Sequence, residues 1–516
     1  MREGNRDASS PSGECAAPAT CREPCQTVVL ERFGDEGVAS TRLSVFVRNR
    51  FATQRVRLVW LMAFFIFLTA SLVRAGETNR AVESTNIFSQ PLSMEEALNI
   101  ALRQNSAILK GQTDLEAAYG IIIQTKAIAL PKIRTGGNFT AHEPATIERF
   151  PSPFPVQQPD KNWTANIQLT QSIYEGGRIN SAWRTAKLTR EQAILNYQTV
   201  LADALLEVRI AYDDTLLAAQ QIIVQEASVK LLTKELDDTK KRFETGTVPR
   251  FNLLRAEVEL ANAKPKLIRA KNFLRISKNN LVNLLGYNLP KNVWEDIPLE
   301  LSDQLDMEPY EIELPNALRQ ALENRSELAA LRQAEKLREE SITNARAGYK
   351  PSVQLFAGYG ARNSSFTEDL TREISGWFTG AQLSWDIFDG RLTKGKILEA
   401  QARRDRAALD LDDASRRIEL EVRTAYSNFI EAREVLESQK KVQEQAEEAL
   451  RLAEARLTAG AATQLDILSA QTALTESRTT QVQSLRDYSV ARARLERAIG
   501  KNITTNFAPP KDKSGK

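Results

Sequence analysis

Cysteine is nearly missing from this chain. Of 516 residues only three are cysteine, Cys15, Cys21 and Cys25, all near the start. The rest of the chain can therefore build no disulfide framework, thiol nucleophile or thiolate metal site. It also offers no cysteine for lipid attachment after residue 25. His142 is the single histidine, so neither a histidine cluster nor a histidine-centred catalytic pair is available. Only Met94 and Met307 follow residue 75, too few to line a path for soft metal ions. Proline is absent from 179–245 and from 391–459. Excess charge is lacking too: once residues 1–75 are set aside, acidic and basic side chains balance. That excludes the electrostatic footprint of a nucleic-acid partner.

Long apolar runs are scarce as well. The one run, Leu58 to Val73, is 16 residues, short of the ~20 that a membrane-spanning helix needs. It follows Arg55 and Arg57 and ends in Val73-Arg74-Ala75, the pattern of a cleaved signal peptide. The rival reading is an uncleaved inner-membrane anchor. Residues 1–49 form a polar extension that a misassigned start codon explains most simply. No nucleophile–base pair or metal-spaced cluster stands out, and Gly358-x-Gly360 lies in a strand pattern with no helix after it. The expectation is a non-enzyme with no cofactor.

What the chain does have is a duplication. Ala97-Leu98 and Ala101-Leu102 recur 220 residues later as Ala317-Leu318 and Ala321-Leu322. From Trp163 the offset is 214, pairing Trp163 with Trp377, Leu169 with Leu383, Gly176 with Gly390, Ala211-Tyr212 with Ala425-Tyr426, and Gly286 with Gly500. One architectural unit is built twice.

Each half reads as helix, strand, strand, long helix, return helix. Trp163, Ala165, Ile167, Leu169 and Ile173 alternate with polar residues, as do Trp377, Ala381, Leu383, Trp385 and Ile387. The period of two fits a sheet with one greasy face. Strands this long with aromatic ends suit an outer-membrane barrel, although a soluble sheet is equally consistent with the strands alone. The proline-free stretches, about 100 Å as helix, decide for an elongated tube. Leu411, Ala414, Ile418, Val422, Ala425, Phe429, Ala432 and Leu436 form a narrow seam at 3/4 spacing, the mark of a coiled coil. Helices predicted for Ser93–Ala129, Phe251–Leu285, Pro315–Gly348 and Leu465–Ile499 would stack in pairs beside the long ones. Four strands cannot close a barrel, so membrane strands imply an oligomer.

The predicted organisation is a polar extension (1–49), signal peptide (50–75), linker (76–91), first repeat (92–290), inter-repeat linker (291–311), second repeat (312–504) and disordered tail (505–516). Strands are predicted at about 131–142, 163–174, 351–361 and 377–388, and long helices within 179–285 and 391–499.

Three features carry a resemblance. They are Ala211-Tyr212 with Ala425-Tyr426, the hairpin patterns Arg242-Phe243-x-x-Gly246…Asn252-x-Leu254-x-Ala256 and Arg456-Leu457-x-x-Gly460…Asp466-x-Leu468-x-Ala470, and the junctions Tyr174-Glu175-Gly176-Gly177 and Phe388-Asp389-Gly390-Arg391. In this duplicated order the chain resembles the TolC-like family of outer-membrane efflux ducts over residues 90–505. The resemblance implies a mostly α protein with a membrane β-barrel sector: a homotrimer with a 12-stranded barrel in outer-membrane lipid and a periplasmic α-helical tunnel. It also implies a periplasmic adaptor (membrane fusion) protein and an inner-membrane pump of RND, ABC or MFS type, serving efflux or type I secretion. Arg242, Gly246, Thr247, Val248 and Pro249, with Arg456, Gly460, Ala461, Ala462 and Thr463, would be adaptor-docking hairpin tips. Gly246 and Gly460 also read as helix C-caps, Pro249 as a first-turn residue, and Thr463-x-x-Asp466 as an N-cap pattern. Asp466, with Asn252 and Ser469, occupies the position of the periplasmic gate. Ser469 and Asn252 stand where acids would strengthen such a gate, and Leu457 replaces an expected tyrosine. The competing class is a periplasmic coiled-coil adaptor or scaffold anchored in the inner membrane.

Overall fold

The structure, a computed structural model, describes residues 91–147, 159–287, 296–307, 309–364 and 369–501. The polar extension, the signal peptide, nearly all of the 76–91 linker, the tail and the three cysteines lie outside the described residues.

The first half comprises α1 (Met94–Gln104), α2 (Ser106–Lys126), β1 (Lys132–Ala141), β2 (Lys161–Glu175), α3 (Arg178–Glu244) and α4 (Arg250–Leu284). The second comprises α5 (Leu314–Asn324), α6 (Ser326–Arg346), β3 (Ser352–Asn363), β4 (Glu373–Ser384), α7 (Leu392–Thr458) and α8 (Gln464–Ile499). The two long helices, α3 and α7, have 67 residues each. No helix among the described residues is long and apolar enough to cross a membrane.

The helix expected from Ser93 to Ala129 is instead broken at Asn105, and its counterpart is broken at Arg325. Both break residues adopt extended backbone, with ψ 128° at Asn105 and 122° at Arg325. Asn105 Oδ1 accepts from the amides of Ala107 (2.8 Å) and Ile108 (3.2 Å), satisfying donors that the new helix start would leave orphaned. Its Nδ2 donates to the Leu284 carbonyl at 2.6 Å, which ties the start of α2 to the end of α4. Arg325 reaches the Ala498 carbonyl at 3.5 Å and so joins α6 to α8 in the same way. Periodicity cannot see such a break, because the apolar stripe resumes one residue later.

The four strands form one antiparallel meander, β1-β2-β3-β4. β4 spans Glu373–Ser384 rather than 377–388, so Trp385, Ile387 and Phe388 lie beyond it. The register lines up Thr135, Ile167, Tyr359 and Trp377 across all four strands, with Ile133, Leu169 and Ala357 in the next row. The greasy face is therefore continuous. It is also uncovered: Ile133 is 71% exposed and Trp377 84%. A β-bulge at Ser172/Tyr174 shifts the register, so Tyr174 rather than Ile173 pairs with Val353. The opposite face is less wet than alternation implies. There the rings of Phe378 and Phe356 cover Gly358 and Gly380, where a Cβ would lie 2.5 and 2.6 Å from ring carbons. Gly358 thus makes room for an aromatic ring.

The coiled-coil seam is the core of the second half. Ile418, Val422, Phe429 and Leu436 are buried, Leu411, Ala414, Ala425 and Ala432 partly so, against Tyr488, Leu495 and Ile499 of α8. Each such fully buried large side chain is worth about 1.5–3 kcal/mol. The matching core of the first half gathers around Tyr212, whose hydroxyl is 2.8 Å from the Leu92 carbonyl oxygen and 3.0 Å from Asp303 Oδ2. Its sequence partner Tyr426 is only half-buried. The segment around Ile297 and Leu299 covers the first half alone, which breaks the symmetry.

Candidate functional site

Each long helix reverses into its return helix through the same turn. At the end of α3, Gly246 adopts φ 76°, its amide donates to Phe243, and the Thr247 amide donates to Arg242. At the end of α7, Gly460 adopts φ 72°, and the amides of Gly460 and Ala461 donate to Leu457 and Arg456. Both are Schellman motifs, in which glycine supplies a left-handed conformation that other L-residues resist. The first tip is tied further by Thr247 Oγ1, which donates to the Arg242 carbonyl at 2.7 Å. Pro249 is the N-cap residue of α4, one place before the first turn predicted for it. Val248 is half-buried, whereas Arg242, Thr247, Pro249, Arg456, Gly460, Ala461 and Thr463 are exposed. Phe251 (69% exposed) and Leu465 (48%) add apolar surface beside the tips that the pattern reading passed over.

Asp466 belongs to a complete capping box with Thr463. Its Oδ2 accepts from the Thr463 amide and hydroxyl, both at 2.8 Å. Bonds from the Thr463 backbone and side chain hold the carboxyl below its ordinary pKa, so it is ionised. Among the described residues no side-chain hydrogen bond joins Asp466 to Asn252 or Ser469. Ser469 is exposed and Asn252 half-buried.

A second feature had no sequence signature. The return helix of the second hairpin, α8, packs on the long helix of the first, α3, through polar side chains along most of its length. From the sheet side toward the tips, Arg497 donates to Asp203 (2.7 Å), Arg209 to Glu496 (2.8 Å) and Ser489 to Asp213 (2.7 Å). Arg486 donates to Asp214 (2.7 Å), Gln225 to Thr479 (3.5 Å), Thr475 to Ser228 (3.2 Å) and Gln464 to Thr239 (2.5 Å). The last contact joins the two hairpins next to their tips. Hydrogen-bonded seams fix a register and separate at lower cost than an apolar core, because their groups can be rehydrated. The only legible trace would have been the many Ser, Thr, Gln and charged residues interrupting the apolar stripes of both helices.

Within this seam Asp213 is 3% exposed. Burial pushes its carboxyl up to about 6, against the Ser489 hydrogen bond and the charges of Arg209 and Arg486, which pull it down. The unfolded chain releases this proton near pH 4. The contribution to stability is therefore largest below pH 4 and is lost as pH rises through about 6. Asp213→Asn, which keeps an oxygen for Ser489, is expected to stabilise the protein at pH 7.5 by about 1–3 kcal/mol. It should have little effect at pH 4, and urea unfolding at both pH values measures the difference. Equal effects at the two would remove the seam's pH sensitivity.

No group of three or more His, Cys, Asp or Glu among the described residues is placed to hold a metal ion.

The sequence matches the outer membrane efflux protein family over residues 97–287 and 317–501, one match per repeat. It is similar to the outer membrane protein TolC of Escherichia coli (24% identity; 80% of this chain, 83% of that protein). It is also similar to the alkaline protease secretion protein AprF of Pseudomonas aeruginosa (25% identity; 65% of this chain, 69% of that protein). The fold is that of the solved CmeC outer membrane channel of Campylobacter jejuni, with a TM-score of 0.69 at 14% identity, covering 79% of this chain and 85% of that one. With both halves matched in order, the chain belongs to the outer membrane efflux protein family.

Proposed function

We propose that three copies of this outer-membrane duct form the passive exit of a tripartite efflux or type I secretion machine, opened by an adaptor docking at the hairpin tips. The observation that carries the reading is the sheet. It is a four-stranded meander whose β1 and β4 edges are unpaired among the described residues, with a continuous, uncovered apolar face. Open edges in hydrocarbon leave backbone groups unsatisfied. In a meander of four, β4 of one copy runs antiparallel to β1 of the next, so identical copies extend the sheet without a break in alternation. Three copies give the 12 strands of a closed barrel.

The hairpin ends supply the other half of the reading. Exposed Arg242, Thr247, Arg456 and Thr463, flanked by Phe251 and Leu465, offer an adaptor both hydrogen-bonding and apolar surface. An inner-membrane pump of RND, ABC or MFS type would supply the energy. Three copies of ionised Asp466, with Asn252 and Ser469 nearby in sequence, would ring the closed end. Both cap bonds use Oδ2, which leaves Oδ1 for a partner across the aperture.

Single-channel recording of the purified protein in a planar bilayer tests both parts. The expected result is discrete, cation-selective steps, with conductance or open time raised by Asp466→Ala. Steps that the substitution leaves unchanged would keep the duct and reduce Asp466 to the third-position member of the Thr463 capping box. A folded protein that gives no steps would favour the scaffold reading.

A further inference from the structure

Where the sheet meets the helices there is a cavity of about 490 Å³ between α6 and α7, lined also by Arg178 at the start of α3. Four cations line it: Arg178, Arg338, Lys396 and Arg403. Only Arg403 has an anionic partner, Glu399 on its own helix at 2.5 Å. The side chains of Arg178, Arg338 and Lys396 have no hydrogen bond or ion pair among the described residues. The cavity therefore carries a net charge of about +3 with only one acid on its wall. Asn344 adds an exposed amide. At the sheet end α6 and α7 are drawn together: a Cβ on Gly348 would lie 2.6 Å from Thr393 Oγ1.

Unpaired like charges around one cavity repel each other, and the fold gains nothing from them in isolation. The surroundings say what neutralises them. Tyr349, Trp385 and Phe388 lie at the same junction and are 51, 56 and 86% exposed. Trp385 Nε1 donates to the Tyr349 carbonyl at 3.2 Å, which fixes the indole at the foot of the sheet. Exposed aromatics at the end of membrane strands mark the level of lipid headgroups. Arg391 belongs to the same junction and holds φ 73° where the first half has Gly177. A left-handed arginine costs about 1 kcal/mol over glycine, so a further cation is kept there against local strain.

We propose that this cavity binds the phosphate headgroup of an anionic phospholipid in the periplasmic leaflet of the outer membrane. The guanidinium groups of Arg178 and Arg338 supply bidentate phosphate donors, Lys396 supplies a point charge, and the acyl chains lie along the exposed aromatics. The proposal rests on the sheet being the membrane sector.

The test titrates the detergent-purified protein with phosphatidylglycerol, phosphatidylethanolamine or inorganic phosphate and counts bound molecules by native mass spectrometry. It compares the wild type with Arg338→Gln/Lys396→Gln, which changes two side chains that make no hydrogen bond or ion pair among the described residues. The expected result is saturable phosphatidylglycerol binding, at least tenfold tighter than phosphatidylethanolamine and weakened roughly thirtyfold in the variant. Phosphatidylglycerol held no tighter than phosphatidylethanolamine, or equally by wild type and variant, would overturn the site. Inorganic phosphate that binds as tightly and displaces the lipid would make this a free-anion site and overturn the lipid assignment. Heat-modifiable mobility of the same samples keeps the two readings apart: its absence in the wild type refutes the membrane sheet itself, and its presence with no lipid preference refutes only the headgroup site.

Discussion

Gly286→Ala is expected to cost at least about 4 kcal/mol and to leave little folded protein. Gly286 ends α4 at φ 75°, and an added Cβ would overlap the Gln104 carbonyl oxygen and lie 2.6 Å from its carbon and 3.2 Å from the Asn105 amide nitrogen. Those are backbone atoms at the break between α1 and α2, and Asn105 is bonded to Leu284 from the other side. Neither partner can swing away. The duplicate glycines give an internal scale. At Gly500 (φ 77°) the nearest atom to an added Cβ is the Arg325 amide at 3.1 Å, so Gly500→Ala is expected to cost about 2 kcal/mol. At Gly246 (φ 76°) nothing lies within 4 Å, which leaves only the left-handed strain of about 1 kcal/mol. Denaturant unfolding of the three variants checks the order. If Gly286→Ala loses no more than Gly246→Ala, the end-to-end junction does not hold the wall together.

The second large effect is at the other break. Arg325 is 5% exposed and bonds Glu327 through two nitrogens at 3.0 Å and Glu421 through a third at 2.7 Å. Glu327 in turn accepts from Arg497 at 2.6 Å, and Arg497 also pairs with Asp203 of α3. This network clamps α6 to α7, α8 and α3. Arg325→Met would leave Glu421 unpaired and Glu327 half-served, and it is expected to cost about 3 kcal/mol. The pH dependence has a definite sign. Burial would raise the Glu327 carboxyl, but the hydrogen bonds and charges of Arg325 and Arg497 outweigh burial and lower it to about 2. Its contribution is complete above the unfolded value near 4.5 and is lost as pH falls through about 2. Glu327→Gln should cost about 3 kcal/mol at pH 7 and flatten the wild-type decline between pH 4.5 and 2. Parallel stability curves for the two proteins would show that the clamp is not ionic. Asp213 gives the opposite slope a little higher in pH, because it is buried among fewer donors.

These positions show what was legible in the chain. The seam at Ile418, Val422, Phe429 and Leu436 could be read directly, since helical spacing and apolar character are local properties that survive into the core. So could the turns at Gly246 and Gly460 and the box at Thr463 and Asp466, whose geometry is set within six residues. The breaks at Asn105 and Arg325 could not. Each is decided by one polar side chain reaching a helix end 173 or more residues away. Tyr212 and Tyr426 match in sequence and differ in burial: the stretch around Ile297 and Leu299 joins only the core that holds Tyr212, while Met307 and Tyr310 pack on the other.

The sequence by itself determined the duplicated order of elements, the length of the long helices and the faces of the strands. Those follow from periodicity, from the placing of proline and glycine, and from a repeat counted in residues. Tertiary structure alone decided that the two hairpins meet through a polar seam, that Asp213 is buried in it, and that unpaired cations surround one cavity below the sheet. Burial, pairing and the loss of a counter-charge arise only when distant segments remove water from one another, and no local pattern records that.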